Sequence, residues 1–227
     1  MGTRNIKKRA GLIAQLLFSF SLFSFSCTDD ETLYLSKEFD WPVQISPVRQ
    51  AYKLGDTIKI DILIPKIMFD RENTVQYLFK DFDFDALLSI RELNNKTKDI
   101  ADQPGANSKV RIINEVGEIA PFSAAGSELL LNYDGSHYRL TSKLILINKG
   151  VFNLMFSTGE ITGTAELINP PAGYKKIIPG VAPSSFLVNS GIPFNYHLFP
   201  KYTASEFDTS DKADTKGRSF FPFVVEE

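Results

Sequence analysis

The side chains whose type and spacing could do chemistry are few: one thiol, Cys27, and three alternating carboxylates in Asp81-Phe82-Asp83-Phe84-Asp85. In an extended backbone successive side chains point to opposite faces, so the triplet would gather its carboxylates on one face and Phe82 and Phe84 on the other. Three like charges held that close must be solvated or neutralised. Oxygen donors of this kind suit Ca²⁺, and a calcium site on Asp81, Asp83 and Asp85 is one expectation. The glycine and distal glutamate of a helix-loop-helix calcium loop are missing. A wet acidic face over two core phenylalanines is the favoured reading. Paired carboxylates also hydrolyse glycosides when held across a cleft, but the sequence fixes no separation for them.

His137 and His197 stand in no metal-ligand spacing, and no second cysteine can complete a zinc site. His137 follows Gly135-Ser136 and is expected in an exposed turn. Tyr174, Tyr196 and His197 flank a proline-rich stretch, and they would form a ligand pocket if their rings converged on a concave surface. A Gly-x-Ser-x-Gly elbow is absent, and the glycines are too scattered for a phosphate loop. No cofactor beyond a covalent lipid or calcium is expected, and a non-catalytic role is favoured over an enzyme.

Cys27 sits at a boundary. Arg4, Lys7, Lys8 and Arg9 precede an apolar run over residues 11–26, broken by Gln15 and four serines. A basic start, a short apolar run and a small-residue end are the layout of a secretory leader. At 16 residues the run falls short of the ~20 that usually cross a bilayer. Its end, Ser24-Phe25-Ser26-Cys27, resembles a bacterial lipoprotein signal of the Phe- and Ser-rich Bacteroidetes type, with Ser24 where the family favours Leu. The resemblance implies cleavage before Cys27 and a diacylglyceryl group on its sulfur. The acidic run Thr28-Asp29-Asp30-Glu31 is similar to the export tag of surface lipoproteins in the same group. It implies Asp29, Asp30 and Glu31 as tag residues and favours the outer face of the outer membrane over the periplasmic face. Residues 27–38 would then be a lipidated flexible tether.

Without the four leader charges, 21 basic side chains face 27 acidic ones, a net −6. Nucleic acid rewards clustered Lys and Arg, so it is not an expected partner. Membrane lipid, through the anchor, and an envelope protein or glycan are.

The elements that must position these residues read as strands. Thr57–Ile64 alternates with period two, and strands are expected at Ala86–Leu93, Lys109–Ile113, Tyr138–Ile147, Val151–Phe156 and Phe220–Val225. Asn148-Lys149-Gly150 reads as a tight connection, and Pro222 marks an edge or bulge. A helical turn is expected over Glu72–Lys80, where Val75, Leu78 and Phe79 share a face. Trp41 reads as a staple between tether and domain. Residues 157–218 are loop-rich, with short strands expected at Thr162–Ile168 and Ser185–Val188. The fold class is mainly β, an antiparallel sandwich over 39–227 with that stretch as an insertion. Gln44-Ile45-Ser46-Pro47 and Tyr52–Ile58 resemble the opening strands of bacterial immunoglobulin-like lipoprotein domains.

Overall fold

Alternation of buried and open side chains decides most of the architecture. The computed structural model describes residues 38–72, 74–159, 162–168, 185–204 and 217–227. The predicted leader, Cys27, the acidic run Asp29–Glu31, most of the tether, and Tyr174 lie outside the described residues. What is described is mainly β, arranged in three sheets with one short α-helix among the described residues, α1 (Leu198–Tyr202). Among the described residues no helix is long and apolar enough to cross a membrane.

The first sheet runs β10 (Asn132–Tyr133), β11 (His137–Leu146), β3 (Thr57–Pro65), β1 (Asp40–Ser46), β14 (Ser185–Val188), with β7 (Val110–Val116) also on β11. The second runs β2 (Ala51–Lys53), β15 (Phe220–Glu226), β12 (Gly150–Thr158), β6 (Ala86–Glu92), β9 (Gly126–Leu130), β8 (Glu118–Pro121). A third, β13 (Thr162–Ile168), β5 (Gln76–Asp83), β4 (Ile67–Phe69), continues the β12–β6 ladder beyond a corner. Pairing is antiparallel except at β1–β14 and β2–β15, which are parallel. The predicted all-antiparallel order is corrected at these two pairs, where β14 runs parallel beside β1 in the first sheet and β2 parallel beside β15 in the second.

In β3 the four isoleucines 58, 60, 62 and 64 are buried while Lys59, Asp61 and Leu63 turn outward. Burying each such side chain contributes about 1.5–3 kcal/mol, which fixes the strand's register. They join Leu140 and Leu144 of β11, Leu88 and Ile90 of β6, and Phe152 and Leu154 of β12 in one continuous core. Leu93, Ile100, Tyr196 and Phe199 form a smaller cluster with Val151 and Phe220.

Several expectations change. Glu72–Lys80 is not helical: β5 begins at Gln76, and Tyr77 and Phe79 are buried on one face with period two. Asn148-Lys149-Gly150 does make a tight connection, with Gly150 at φ 148°, but it carries the chain from β11 in the first sheet to β12 in the second. Pro222 lies in an interior strand, yet β2 covers only Val224–Glu226, so the missing N–H faces no partner strand. Trp41 belongs to β1 and is fully buried, so it is core rather than a staple to the tether. The strands at Thr162–Ile168 and Ser185–Val188 fall where expected.

The entry to the domain is tied by charge. Arg71 pairs with Asp40 at 2.8 Å and with Glu38, and donates to Ser185 Oγ at 2.9 Å. Farther along, the buried amide of Gln103 organises the segment after β6. Its Oε1 accepts the Asn94 and Asn95 N–H groups at 3.1 Å, and its Nε2 donates to the Asn95 and Lys98 carbonyls at 2.7 and 2.9 Å. Gln103→Ala removes all four bonds. The expected loss in denaturant unfolding is about 1–3 kcal/mol, with faster amide exchange confined to residues 94–103.

Candidate functional site

The acidic triplet lies at the corner where β5 hands over to β6. Strict alternation from Phe79 would send Asp81 into the core. Instead Lys80 and Asp81 both face solvent and burial resumes at Phe82 and Phe84. The ladder to β13 slips by one residue between the Lys80–Thr164 and Asp83–Thr162 pairs, and Asp81 takes φ 48°. This is a β-bulge, a device that re-aims side chains at the cost of unpaired backbone groups. Asp is among the few residue types that tolerate such a φ. Asp85 adopts φ 40°, its carbonyl accepts the Gly159 N–H at 2.8 Å, and its own N–H donates to Asp83 Oδ1 at 3.0 Å.

Tyr138 supplies what the bulge removes. From β11 its phenol accepts the Phe82 N–H at 3.2 Å and donates to the Phe79 carbonyl at 3.3 Å. Burial pushes this phenol's pKa up. The Tyr138 ring meets Phe84 edge-on at 5.0 Å and lies 4.6 Å from Tyr133 with the planes 30° apart. Tyr133 is open to solvent, and its hydroxyl donates to the Gly135 carbonyl at 2.8 Å. Asp134 locks that turn: its carboxylate accepts the Ser136 hydroxyl and the N–H groups of Ser136 and His137 at 2.8–2.9 Å. The Ser136 hydrogen bonds foremost hold its carboxyl well below the usual range.

These elements enclose a cleft of about 350 Å³. Phe82, Phe84 and Leu129 form its apolar side, Tyr133 and Tyr138 stand beside it, and Asp81, Asp83 and Glu128 supply carboxylates. Asp81, Asp83 and Glu128 are all exposed. Among the described residues no Lys, Arg or His lines the cleft, and none of these three carboxylates makes an ion pair with any of them. Clefts of order 300–1,000 Å³ with an apolar wall and a few polar groups are where small ligands bind.

Among the described residues no group of three His, Cys, Asp or Glu side chains is arranged to hold an ion. Asp83 is committed to the turn at Asp85, and Asp85 points toward Gly159, where an added Cβ would lie 2.0 Å from its Oδ2.

Of the predicted tyrosine–histidine pocket, Tyr174 lies outside the described residues. Tyr196 is buried against Phe199, at 5.3 Å between ring centroids, and burial raises its pKa well above the ordinary phenol value. His197 is exposed at the start of α1. His137 opens β11 with its Nδ1 2.8 Å from Ser136 Oγ. Glu128, Tyr133 and Tyr138 were not legible as site residues. The one local signal was Tyr133-Asp134-Gly135-Ser136, a turn sequence holding an aromatic at a strand end.

The protein defined here is a mainly β chain with an acidic, aromatic-backed cleft at a bulged corner. No protein family, no curated protein and no solved structure matches it.

Proposed function

We propose that the chain is a lipid-anchored cell-envelope protein whose two six-stranded sheets form an immunoglobulin-like sandwich that binds a partner without chemistry. Cys27 carries the lipid, the leader before it is removed, and the domain sits on the outer membrane with its cleft available to an envelope protein or glycan. The observation that carries the binding role is the open cleft at the β5–β6 corner. Its acids are exposed rather than sunk in an apolar pocket. A glycoside hydrolase needs one carboxyl kept protonated by such a pocket opposite a second carboxylate at a set distance. That contrast favours a binder over a hydrolase acting through Asp81 or Asp83.

Lipid attachment explains the single thiol: one acyl chain binds a membrane only marginally, and two hold it stably. Cys27→Ser is therefore expected to move the protein from the membrane pellet to the soluble or uncleaved fraction. Mass spectrometry of the native product should find Cys27 as the first residue with added acyl mass. A mature N-terminus elsewhere, or a Cys27→Ser product that is cleaved yet still pellets with the membrane, sinks the anchor. Hydrolysis of envelope glycans that is lost in Asp81→Asn sinks the non-catalytic assignment.

A further inference from the structure

We infer that the cleft at the β5–β6 corner binds an organic cation, an alkylammonium group carried on an apolar chain. The inference rests on the binding role proposed for that cleft and names its ligand class.

Exposed Leu130 and half-buried Leu131 give the cleft apolar surface above the buried Phe82, Phe84 and Leu129, so an occupant gains by bringing apolar surface of its own. Tyr133 has 42% of its surface open and is held by its hydroxyl bond to Gly135 and by contact with the Tyr138 ring. A fixed, half-open aromatic face attracts cations through its ring quadrupole. Asp81 and Glu128 then set the sign of the charge: no cation lines the cleft, and neither carboxylate has an ionic partner among the described residues. An anionic ligand would meet repulsion. A neutral one would leave these carboxylates without a counter-charge.

An inorganic ion fits less well. Ca²⁺ asks for six to eight oxygens at short range, whereas Asp83 is occupied by the Asp85 N–H and half the lining is apolar. An ammonium on a flexible carbon chain meets both halves of the site, its head on the carboxylates and ring, its stem on Leu130 and Leu131. The same chemistry occurs in a free polyamine and in a lysine side chain of a protein partner.

The experiment titrates the purified full-length expression product in neutral detergent with spermidine and, separately, with a hexalysine peptide. Heat is read together with tyrosine ring NMR shifts. Saturable binding that weakens at least roughly tenfold in the Asp81→Asn/Glu128→Gln double variant is expected. Tyr133→Leu should weaken it as well, while Glu118→Gln, outside the cleft, leaves it unchanged. Thermal melts establish that each variant is folded, and Tyr133→Leu keeps the test decisive if the double variant is not. Tighter binding of spermidine assigns a free amine, and tighter binding of hexalysine assigns a protein lysine. No saturation with either probe, or equal weakening by Glu118→Gln, overturns the inference. A neutral oligosaccharide that binds the cleft while both cations fail overturns the ligand class and leaves the binding role standing.

Discussion

Trp41→Ala is expected to lower unfolding stability by about 3–5 kcal/mol, the range for deleting a large buried aromatic. The indole is fully buried in β1, stacked on Phe39 at 5.4 Å and met edge-on by Phe79 at 5.4 Å and Phe84 at 4.9 Å. Phe79 and Phe84 lie on either side of the bulge, so the hole would open directly behind the cleft. Nearby Phe82 touches Phe79 and Phe84, both at 4.8 Å, and cannot close the gap without moving the carboxylates it flanks. Loss of cleft binding should therefore accompany the loss of stability, even under conditions where the variant remains folded. The indole N–H has no hydrogen-bond partner among the described residues. Removing a buried orphan donor recovers part of its desolvation cost, about 1–3 kcal/mol. Both substitutions share that recovery, and Trp41→Phe should cost far less than Trp41→Ala because a phenyl ring refills most of the hole. Urea melts of the two variants check this. Equal losses would mean that a phenyl ring recovers none of the packing and that cavity volume does not set the cost.

The same neighbourhood shows where sequence reasoning holds and where it stops. Ile58, Ile60, Ile62 and Ile64 are legible because local alternation and tertiary burial agree. Glu72–Lys80 misleads because Val75, Leu78 and Phe79 satisfy helical spacing while Tyr77 and Phe79 satisfy strand spacing. Pairing of β5 with both β4 and β13 decides between them, and those partners are remote in sequence. The burial of Phe82 and Phe84 beneath exposed Asp81 and Asp83 was legible, but the bulge that achieves it was visible only as the three-residue step from Phe79 to Phe82. Its stabilising partner, the Tyr138 phenol, lies 56 residues from Phe82, and no local pattern announces it. Glu128 and Tyr133 join the cleft for the same non-local reason: β9 pairs with β6, and β10 pairs with β11.

The two halves of the cleft belong to different sheets, and their relative placement depends on how the chain crosses between them. Tyr133 and Tyr138 come from the first sheet, Glu128 and Leu130 from the second. Asp81 and Asp83 stand at the end of β5, where the third sheet turns into the second. A rigid crossing keeps the aromatic face and the carboxylates at a fixed separation, so that a ligand does not have to order them on binding.

Gly117 is one such crossing, with Leu131 between β9 and β10 another, and Gly117→Ala is expected to cost roughly 2–4 kcal/mol from positive-φ strain and overpacking together. It is the one residue between β7 in the first sheet and β8 in the second, with φ 65°. A Cβ there would stand 2.5 Å from the Leu130 carbonyl oxygen and 3.0 Å from that of Arg139. Both obstacles are backbone, so no rotamer change relieves them. Leu130 lines the cleft, and the strain should reach the binding site. Gly135→Ala separates the two causes, because Gly135 has φ 94° and nothing within 4 Å of its would-be Cβ. That variant should lose only about 1 kcal/mol, the dihedral penalty alone. A Gly117→Ala loss no larger than that of Gly135→Ala would mean that the crossing yields to the added methyl, and the fixed separation of the two halves would go with it.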